Sequence, residues 1–137
     1  MSSLVITGGR RLSGVVSVGG NKNAALPLLA ACLLTREECV LHNVPLIGDV
    51  EVMVRLLMDL GAEVDGIGGT TLRVRCSTVT KDEPDPALVG RLRGSVLLLG
   101  PLLARRGRAV LAPPGGDFPA RRTISTHLDA LMAMGAH

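Results

Sequence analysis

The sequence predicts an α/β protein built from a repeated unit of buried helix, strand, amphipathic helix and further strands. The first observation is internal similarity: residues 28–40 and 98–110 align in one register, and each run reads as an apolar helix, a charged turn and the start of a strand. The second is a glycine that ends the amphipathic helix of each unit, Gly61 and Gly135. Repeats bury their shared faces by packing together, so we expect about two repeats of a larger protein.

The first unit is predicted over residues 21–84, after N-terminal strands in residues 1–20. Its first helix carries no charge from Ala24 to Leu34 and is therefore expected to be buried on every side, with Asn23 as a candidate N-cap. The second helix is amphipathic and presents apolar residues at helical spacing, namely Val50, Met53, Val54, Leu57 and Leu60. Asp49 is the candidate N-cap of this second helix.

The first unit closes with a predicted hairpin, whose strands Glu63–Gly66 and Thr71–Arg75 meet across a glycine-rich turn. A polar loop that contains proline, Lys81–Pro86, leads to the second unit, predicted over residues 85–137. That unit repeats the helix and the strand start, and its last helix carries Ile124, Leu128, Leu131 and Met134 on one face. It stops before a hairpin of its own, so we expect it to be truncated.

Composition places the chain among globular, cytoplasmic proteins. Hydrophobic residues make up 47% and charged residues 20%, which fits a packed core. The longest uncharged run is too short to span a bilayer, and no secretory leader is visible. The three cysteines, Cys32, Cys39 and Cys76, lack the spacing of zinc ligands, so we expect free thiols in a reducing compartment. No metal and no cofactor is predicted.

The net charge of +3 favours an anionic partner. The cluster Arg105-Arg106-Gly107-Arg108 would suit nucleic acid, but Phe118 is the only aromatic residue available to stack on bases. We therefore interpret the cluster as a solvated turn between a helix and a strand. Acidic small molecules are the expected partners, whereas nucleic acid and a membrane are not.

The first candidate site lies at the start of the first helix, where Lys22 and Asn23 follow two glycines. Lys22 is one of only two lysines among 15 basic residues. Free N–H groups and the positive end of the helix dipole favour an anion there, so the pattern indicates phosphate or carboxylate binding. The alternative is a glycine turn with a solvated lysine. In the register of the repeat Asn23 matches Arg93, so the two helix starts can face one pocket.

The second candidate site is the glycine-rich segment 113–122, which follows the predicted strand of the second unit. Asp117 lies there with arginines close by, including Arg122. Nearby arginines favour the carboxylate form, so Asp117 would act as a general acid only if burial offsets them. The alternative is an exposed ion pair. His127 on the next helix is interpreted as a hydrogen-bonded structural residue rather than a catalyst.

Five motifs together resemble a known family. They read GGNKNAALPLL at residues 19–29, NVP at 43–45, LGAEV at 60–64, RGSVLLLGPL at 93–102 and PGGD at 114–117. They are similar to the bacterial UDP-N-acetylglucosamine enolpyruvyl transferases (1-carboxyvinyltransferases), relatives of the enolpyruvylshikimate-phosphate synthases. The resemblance covers the whole chain but only about the first third of such an enzyme, whose two domains each contain three repeats. It implies that residues 1–20 pack with the other domain, and that the remaining two-thirds is present in cis or as a second chain.

The resemblance implies transfer of the enolpyruvyl group of phosphoenolpyruvate to the 3′-hydroxyl of UDP-N-acetylglucosamine with release of phosphate, the first committed step of peptidoglycan synthesis. Lys22 matches the lysine that contacts phosphoenolpyruvate, and Asn23 matches the asparagine that contacts the amino-sugar. Arg93 and Arg122 match arginines that hold the anionic substrates. Asp117 falls where most members have cysteine. The resemblance implies that Asp117 and Lys22 are the catalytic residues. Members with aspartate there are typically insensitive to fosfomycin, which alkylates the thiol.

The chain departs from this family beside Arg122. Thr123 stands in place of a proline and Ser125 in place of an aspartate, in a stretch with His127 that lines the uridine in the family. An alternative is therefore an enolpyruvyl transferase for another nucleotide acceptor, such as UMP, in specialised metabolism. A further alternative is a fragment that binds a ligand or partner without catalysis, because the general base of the family lies outside this chain.

Overall fold

The structure, a computed structural model, describes residues 3–115 and 123–136. This part of the chain mixes helices and strands, but its strands all lie between residues 39 and 75, and only helical elements follow them. The α-helices are α1 (Lys22–Ala31), α2 (Gly48–Asp59), α3 (Pro86–Val89), α4 (Leu99–Arg106) and α5 (Ser125–Ala133), and 3₁₀ turns occupy Cys32–Leu34 and Arg93–Leu98. The strands are β1 (Cys39–Leu41), β2 (Glu63–Asp65) and β3 (Leu72–Arg75).

The three strands form one antiparallel sheet in the order β1-β3-β2. The central strand β3 pairs Val74 with Cys39 on one side and with Val64 on the other. The predicted hairpin is thereby confirmed. Alternation along β3 turns Leu72 and Val74 into the core and leaves the intervening arginine in solvent, as the period of two in a strand dictates.

Helix α2 confirms the predicted amphipathic pattern, because all five apolar residues of its predicted stripe are buried. Its end is also as predicted: Gly61 has a φ of +102°, and the N–H of Ala62 donates to the carbonyl of Leu57 in the pattern of a glycine-terminated helix. The predicted N-cap is wrong. The helix begins at Gly48, so Asp49 lies inside the first turn, and the cap position, Ile47, makes no side-chain hydrogen bond to the helix.

Helix α1 differs from its prediction in two ways. It is not buried on every side, because Leu29 is fully buried whereas Leu28 is 53% exposed. The reason is that α2 and the turn Arg93–Leu98 cover only one face of α1 within the described residues. Its N-cap is Asn21 rather than Asn23, since the Asn21 side chain accepts hydrogen bonds from the N–H groups of the first turn.

The second unit follows the first less closely than the repeat predicts. Its apolar helix begins as a 3₁₀ turn at Arg93 and becomes α4, which ends at Gly107 with a φ of +71°. The predicted strand after it is absent from the described residues. Residues 109–112 have no regular secondary structure and pack against the core, and the N–H of Val110 donates to the carbonyl of Asp82. Helix α5 is formed, but none of its residues is buried.

The predicted solvated arginine turn needs correction at its first residue. Arg106 and Arg108 are exposed, but the Arg105 guanidinium turns inward and donates hydrogen bonds to four backbone carbonyls. These carbonyls belong to Leu33 (2.7 Å), Thr35 (2.9 Å), Cys76 (3.2 Å) and Ser77 (3.1 Å). Arg105 thus joins α4 to the end of the first helix and to the chain that leaves β3.

The three cysteines are free thiols, as predicted. Burial, with the neighbouring Cys39 as a smaller cause, raises the pKa of Cys32 from its ordinary 9.0 to about 12. Burial also raises the pKa of Cys76, although the Arg105 charge works in the opposite direction. The neutral Cys32 thiol therefore stabilises the fold fully below pH 9.0, and this contribution is lost as the pH rises towards about 12.

We expect iodoacetamide to alkylate Cys32 at least about tenfold more slowly in the folded chain than in the unfolded chain, at a pH below 9. The reasons are that the thiolate is the reacting form, that burial raises the pKa of Cys32, and that the buried sulfur is shielded from the reagent. Mass spectrometry of tryptic peptides after timed alkylation would measure the rate at each cysteine. Equal rates for Cys32 with and without denaturant would contradict the prediction.

Among the residues that the structure describes, every helix falls short of the length and apolar character needed to cross a membrane.

Candidate functional site

The segment before α1 is fixed by a close approach of two backbones. A Cβ atom on Gly20 would lie 1.8 Å from the carbonyl oxygen of Asn43, so only glycine fits there. Asn43 itself has a φ of +56°, in the left-handed region that asparagine tolerates. Asn21 then begins the helix, with its Oδ1 atom 2.7 Å from the Asn23 nitrogen. The close contact between Gly20 and Asn43, which are distant in sequence, therefore sets the direction in which α1 starts.

Lys22 is the first residue of α1 and lies at the surface. Its Nζ atom is 2.9 Å from Oδ2 of Asp49, in the first turn of α2, and the two side chains are 49% and 43% exposed. The Lys22 ammonium is therefore held by a neighbouring carboxylate but stays open to solvent. Asn23, the next residue, is also exposed. This arrangement leaves both predicted side chains accessible to an anionic or polar ligand.

The start of the second apolar helix lies beside α1. A Cβ atom on Gly94 would approach Cδ1 of Leu26 to 2.9 Å, so the turn that begins at Arg93 packs closely on α1. Leu26 is one helical turn beyond Lys22 and lies on the same face of α1. This contact places the backbone at the start of the second apolar helix beside α1. Arg93 is half-buried. A pocket shared by Lys22 and Arg93 stays a prediction.

The glycine-rich segment approaches the same region. A Cβ atom on Gly115 would lie 1.5 Å from the carbonyl oxygen of Gly90, and the Gly115 N–H donates to the carbonyl of Val89 at 3.2 Å. Gly90 ends α3 and precedes Arg93 by three residues. The described part of the segment is thus fixed next to the Arg93 turn. Asp117 and Arg122 themselves lie outside the described residues.

Three further predicted residues lie at the start of α5. The hydroxyl oxygens of Thr123 and Ser125 are 2.7 Å apart, and the His127 N–H donates to the carbonyl of Ile124. Thr123, Ser125 and His127 are all exposed. No described hydrogen bond joins this group to Lys22. The described contacts place the Arg93 turn beside α1 and Gly115 beside Gly90.

Two features near Lys22 were missed by the sequence reasoning. Sequence spacing predicts that Asp49 is a helix cap, whereas its carboxylate forms an ion pair with Lys22. Sequence predicts no role for His42, yet it lines a surface depression with Gly20, Asn21 and Asn43, and its Nδ1 atom is 3.3 Å from Oγ1 of Thr71. The NVP motif, which contains Asn43, is the sequence signal for this side of the depression.

Within residues 3–115 and 123–136, no group of three or more acidic, His or Cys side chains is placed to hold a metal ion.

Comparison with known proteins gives one family and many relatives. The EPSP synthase family, described as EPSP synthase (3-phosphoshikimate 1-carboxyvinyltransferase), matches residues 6–137. The UDP-N-acetylglucosamine 1-carboxyvinyltransferase of Bradyrhizobium diazoefficiens is 46% identical over 132 residues, which cover 96% of this chain and 31% of the relative. The protein of the same name from Acinetobacter baylyi is 44% identical over 100% of this chain and 32% of its own length.

A solved structure is also similar. The crystal structure of the enolpyruvyl transferase NikO from Streptomyces tendae matches with a TM-score of 0.62 and 32% sequence identity, over 73% of this chain and 23% of NikO. This chain spans about a third of the length of the curated relatives that it matches.

Proposed function

Because this chain belongs to the EPSP synthase family, we propose that it forms the N-terminal third of an enzyme that transfers the enolpyruvyl group of phosphoenolpyruvate to the 3′-hydroxyl of UDP-N-acetylglucosamine. The names of relatives that are 40–47% identical over almost the whole chain support this acceptor. Such an enzyme would act in the cytoplasm, in the first committed step of peptidoglycan synthesis. It would act in bacteria, the source of these relatives.

The observation that carries the proposal is the packing of the Arg93 turn on α1 beside Lys22, with Gly115 fixed just before Arg93. Phosphoenolpyruvate carries a phosphate and a carboxylate close together, so its site needs at least two cations. Lys22 and Arg93 start neighbouring helices and can supply them. Arg122 would add a third cation. Asn23 would contact the amino-sugar.

The proposed reaction is an addition followed by an elimination. The acceptor hydroxyl loses its proton and forms a bond to C2 of phosphoenolpyruvate, while C3 takes up a proton to become a methyl group. The resulting tetrahedral ketal then loses phosphate from C2 and a proton from C3, which restores the double bond. Asp117 would supply the proton to C3, Lys22 would stabilise the charge on the phosphate, and the base would come from the rest of the enzyme.

The exposed N-terminal residues support the proposal that the remaining two-thirds packs on this chain. Residues 3–20 form no helix or strand, and Leu12 and Val15 are 93% and 100% exposed. Burying such side chains against another part of the enzyme would remove this apolar surface from water. We therefore propose three parts: N-terminal strands at 1–20 that pack with a second domain, a first unit at 21–84 and a second unit at 85–137.

A second acceptor has one observation in its favour. The Thr123 and Ser125 hydroxyls form a hydrogen-bonded pair at the start of α5, where the family usually has proline and aspartate. Together with His127 they would line a nucleotide differently from the family pattern. An enolpyruvyl transferase for UMP or a similar acceptor is therefore the second candidate, and a ligand-binding fragment without catalysis is the third.

Phosphate release by the longest form of the protein that contains this chain tests these candidates. We expect phosphate to be released from phosphoenolpyruvate only when UDP-N-acetylglucosamine is present, and more slowly with UMP. Faster release with UMP would select the second candidate. No release with either acceptor, from a protein that still binds phosphoenolpyruvate in calorimetry, would select the third.

We expect this enzyme to be insensitive to fosfomycin, because a carboxylate at Asp117 is a poor nucleophile towards its epoxide, whereas a cysteine thiolate is a good one. Turnover would be measured after preincubation with fosfomycin for increasing times. The matched variant Asp117→Cys should become sensitive in a time-dependent way. Irreversible inhibition of the unaltered enzyme would show that the prediction is wrong.

A further inference from the structure

We propose that Asp49 is a positioning residue, which fixes the Lys22 ammonium so that it meets an anionic substrate in one orientation. This inference rests on the proposed function, in which Lys22 binds phosphoenolpyruvate. The starting observation is the ion pair between Nζ of Lys22 and Oδ2 of Asp49, at 2.9 Å. These residues start neighbouring helices, since Lys22 is the first residue of α1 and Asp49 the second of α2, and α1 packs on α2.

The helix dipoles explain why the two charges are placed in this way. A cation at the N-terminus of a helix is disfavoured, whereas an anion there is stabilised. Lys22 lies at the unfavourable end of α1, and Asp49 lies at the favourable end of α2. The carboxylate, held in place by its own helix, therefore offsets the repulsion between the Lys22 ammonium and α1. Without Asp49 the ammonium would be expected to turn away from the helix start into solvent.

The pair leaves Lys22 able to bind a ligand. An ammonium group has three N–H donors, and the ion pair brings only one oxygen of Asp49 close to it. The Lys22 side chain is 49% exposed, so the other donors are accessible to phosphate or carboxylate oxygens. A lysine side chain loses considerable rotamer entropy when it is fixed. Because Asp49 has already fixed Lys22, less of that rotamer entropy remains to be lost when an anion binds.

The other lysine of the chain provides a comparison. Nζ of Lys81 is 2.6 Å from Oδ1 of Asp59, and the second oxygen of Asp59 accepts the N–H of Asp85 at 2.8 Å. That carboxylate ties the loop after β3 to the end of α2 and therefore has a structural explanation. No described backbone group donates to the Asp49 side chain in this way, and the ion pair with Lys22 is the one side-chain interaction described for it.

Kinetics of the longest form of the protein test the proposal directly. We expect Asp49→Ala to raise the KM for phosphoenolpyruvate about tenfold, since the rotamer entropy of one lysine must now be lost on binding. The KM for the acceptor should stay within about twofold, because Asp49 acts only through Lys22. Asp49→Asn keeps an oxygen acceptor and should restore part of the loss. The matched control is Glu51→Gln, which removes a carboxylate that pairs with Arg55 on the same helix.

A double-variant comparison separates positioning from a structural role. In a Lys22→Ala background, Asp49→Ala should change phosphoenolpyruvate binding, measured by calorimetry, by less than about twofold, because the residue it acts through is gone. A further loss in that background would overturn the proposal. An unchanged KM for phosphoenolpyruvate in Asp49→Ala would also overturn it, as would an equal rise in the Glu51→Gln control.

The proposal can be tested separately from the proposed function. The 137-residue chain has two lysines, so NMR of ¹⁵N-lysine samples gives one ammonium signal for each. Asp49→Ala should move the Lys22 signal and leave the Lys81 signal in place, and Asp59→Ala should do the reverse. If the Lys22 ammonium signal does not move in Asp49→Ala, the proposal is overturned, whether or not the enzyme turns over substrate. Absence of turnover in the unaltered protein, with the expected NMR result, would instead refute the proposed function alone.

Discussion

Replacing Lys22 by alanine is expected to lower kcat/KM for phosphoenolpyruvate by about 100- to 1,000-fold while leaving the fold intact. The rate falls because one preorganised cation next to the developing phosphate charge is lost, and single groups of this kind have effects of that size. The fold survives because Lys22 is half-exposed and its ion pair with Asp49 lies at the surface. Surface ion pairs contribute about 0–1 kcal/mol to stability.

The chain offers a matched control for this prediction. Lys81 is the other lysine, is also paired with an aspartate and is 41% exposed, but its partner Asp59 ends α2, whereas the partner of Lys22 lies in the first turn of that helix. Lys81→Ala should therefore leave kcat/KM within about threefold of the unaltered enzyme. Phosphate release would be measured for both variants, with urea unfolding as the check on folding. A similar loss of turnover in the two variants would contradict the assignment of Lys22 to the site.

The features predicted correctly from the sequence are those that short-range periodicity determines. The stripe of α2 repeats at helical spacing, and the two strands of the hairpin alternate on either side of a glycine turn. In both cases one face must be buried whatever the rest of the protein does. The helix end at Gly61 is equally local, because its φ of +102° suits glycine in particular.

The features predicted incorrectly depend on groups that are distant along the chain. Leu28 is exposed because nothing in the described chain covers the outer face of α1, and an apolar helix does not reveal which of its sides has a partner. The strand predicted around Val110 needs a neighbouring strand, and the described residues offer none to it. The N-cap at Asn21 rather than Asn23 is a shift of two residues, within the usual uncertainty of helix boundaries.

The candidate site shows the same division. The glycines and the apolar run beside Lys22 and Asn23 predict these two residues, and both signals are local. Asp49 is 27 residues further along the chain, so no spacing rule links it to Lys22, and only the packing of α1 on α2 does. The approach of Gly115 to Gly90 is likewise visible only in three dimensions. It indicates that the loop with Asp117 starts beside the Arg93 turn, as the proposed function requires.

Replacing Arg105 by methionine is expected to lower the free energy of unfolding by about 3 kcal/mol or more. The substitution keeps much of the aliphatic length of the side chain but removes four hydrogen bonds from a charged donor to backbone carbonyls. Bonds to charged groups are worth about 1.5–3 kcal/mol each, and water can replace only those that become accessible. The carbonyls at Leu33 and Cys76 belong to buried residues, so they should contribute most of the loss.

The neighbouring Arg106 makes the test specific, because it lies on the same helix but is exposed. Arg106→Met should change the free energy of unfolding by no more than about 0.5 kcal/mol, as surface substitutions usually do. Arg105→Lys should be intermediate, since an ammonium cannot reach four carbonyls with the geometry of a guanidinium. Urea unfolding followed by circular dichroism would give all three values. Equal stability of Arg105→Met and Arg106→Met would contradict the prediction. It would show that the four hydrogen bonds of the Arg105 guanidinium do not hold the second unit on the first.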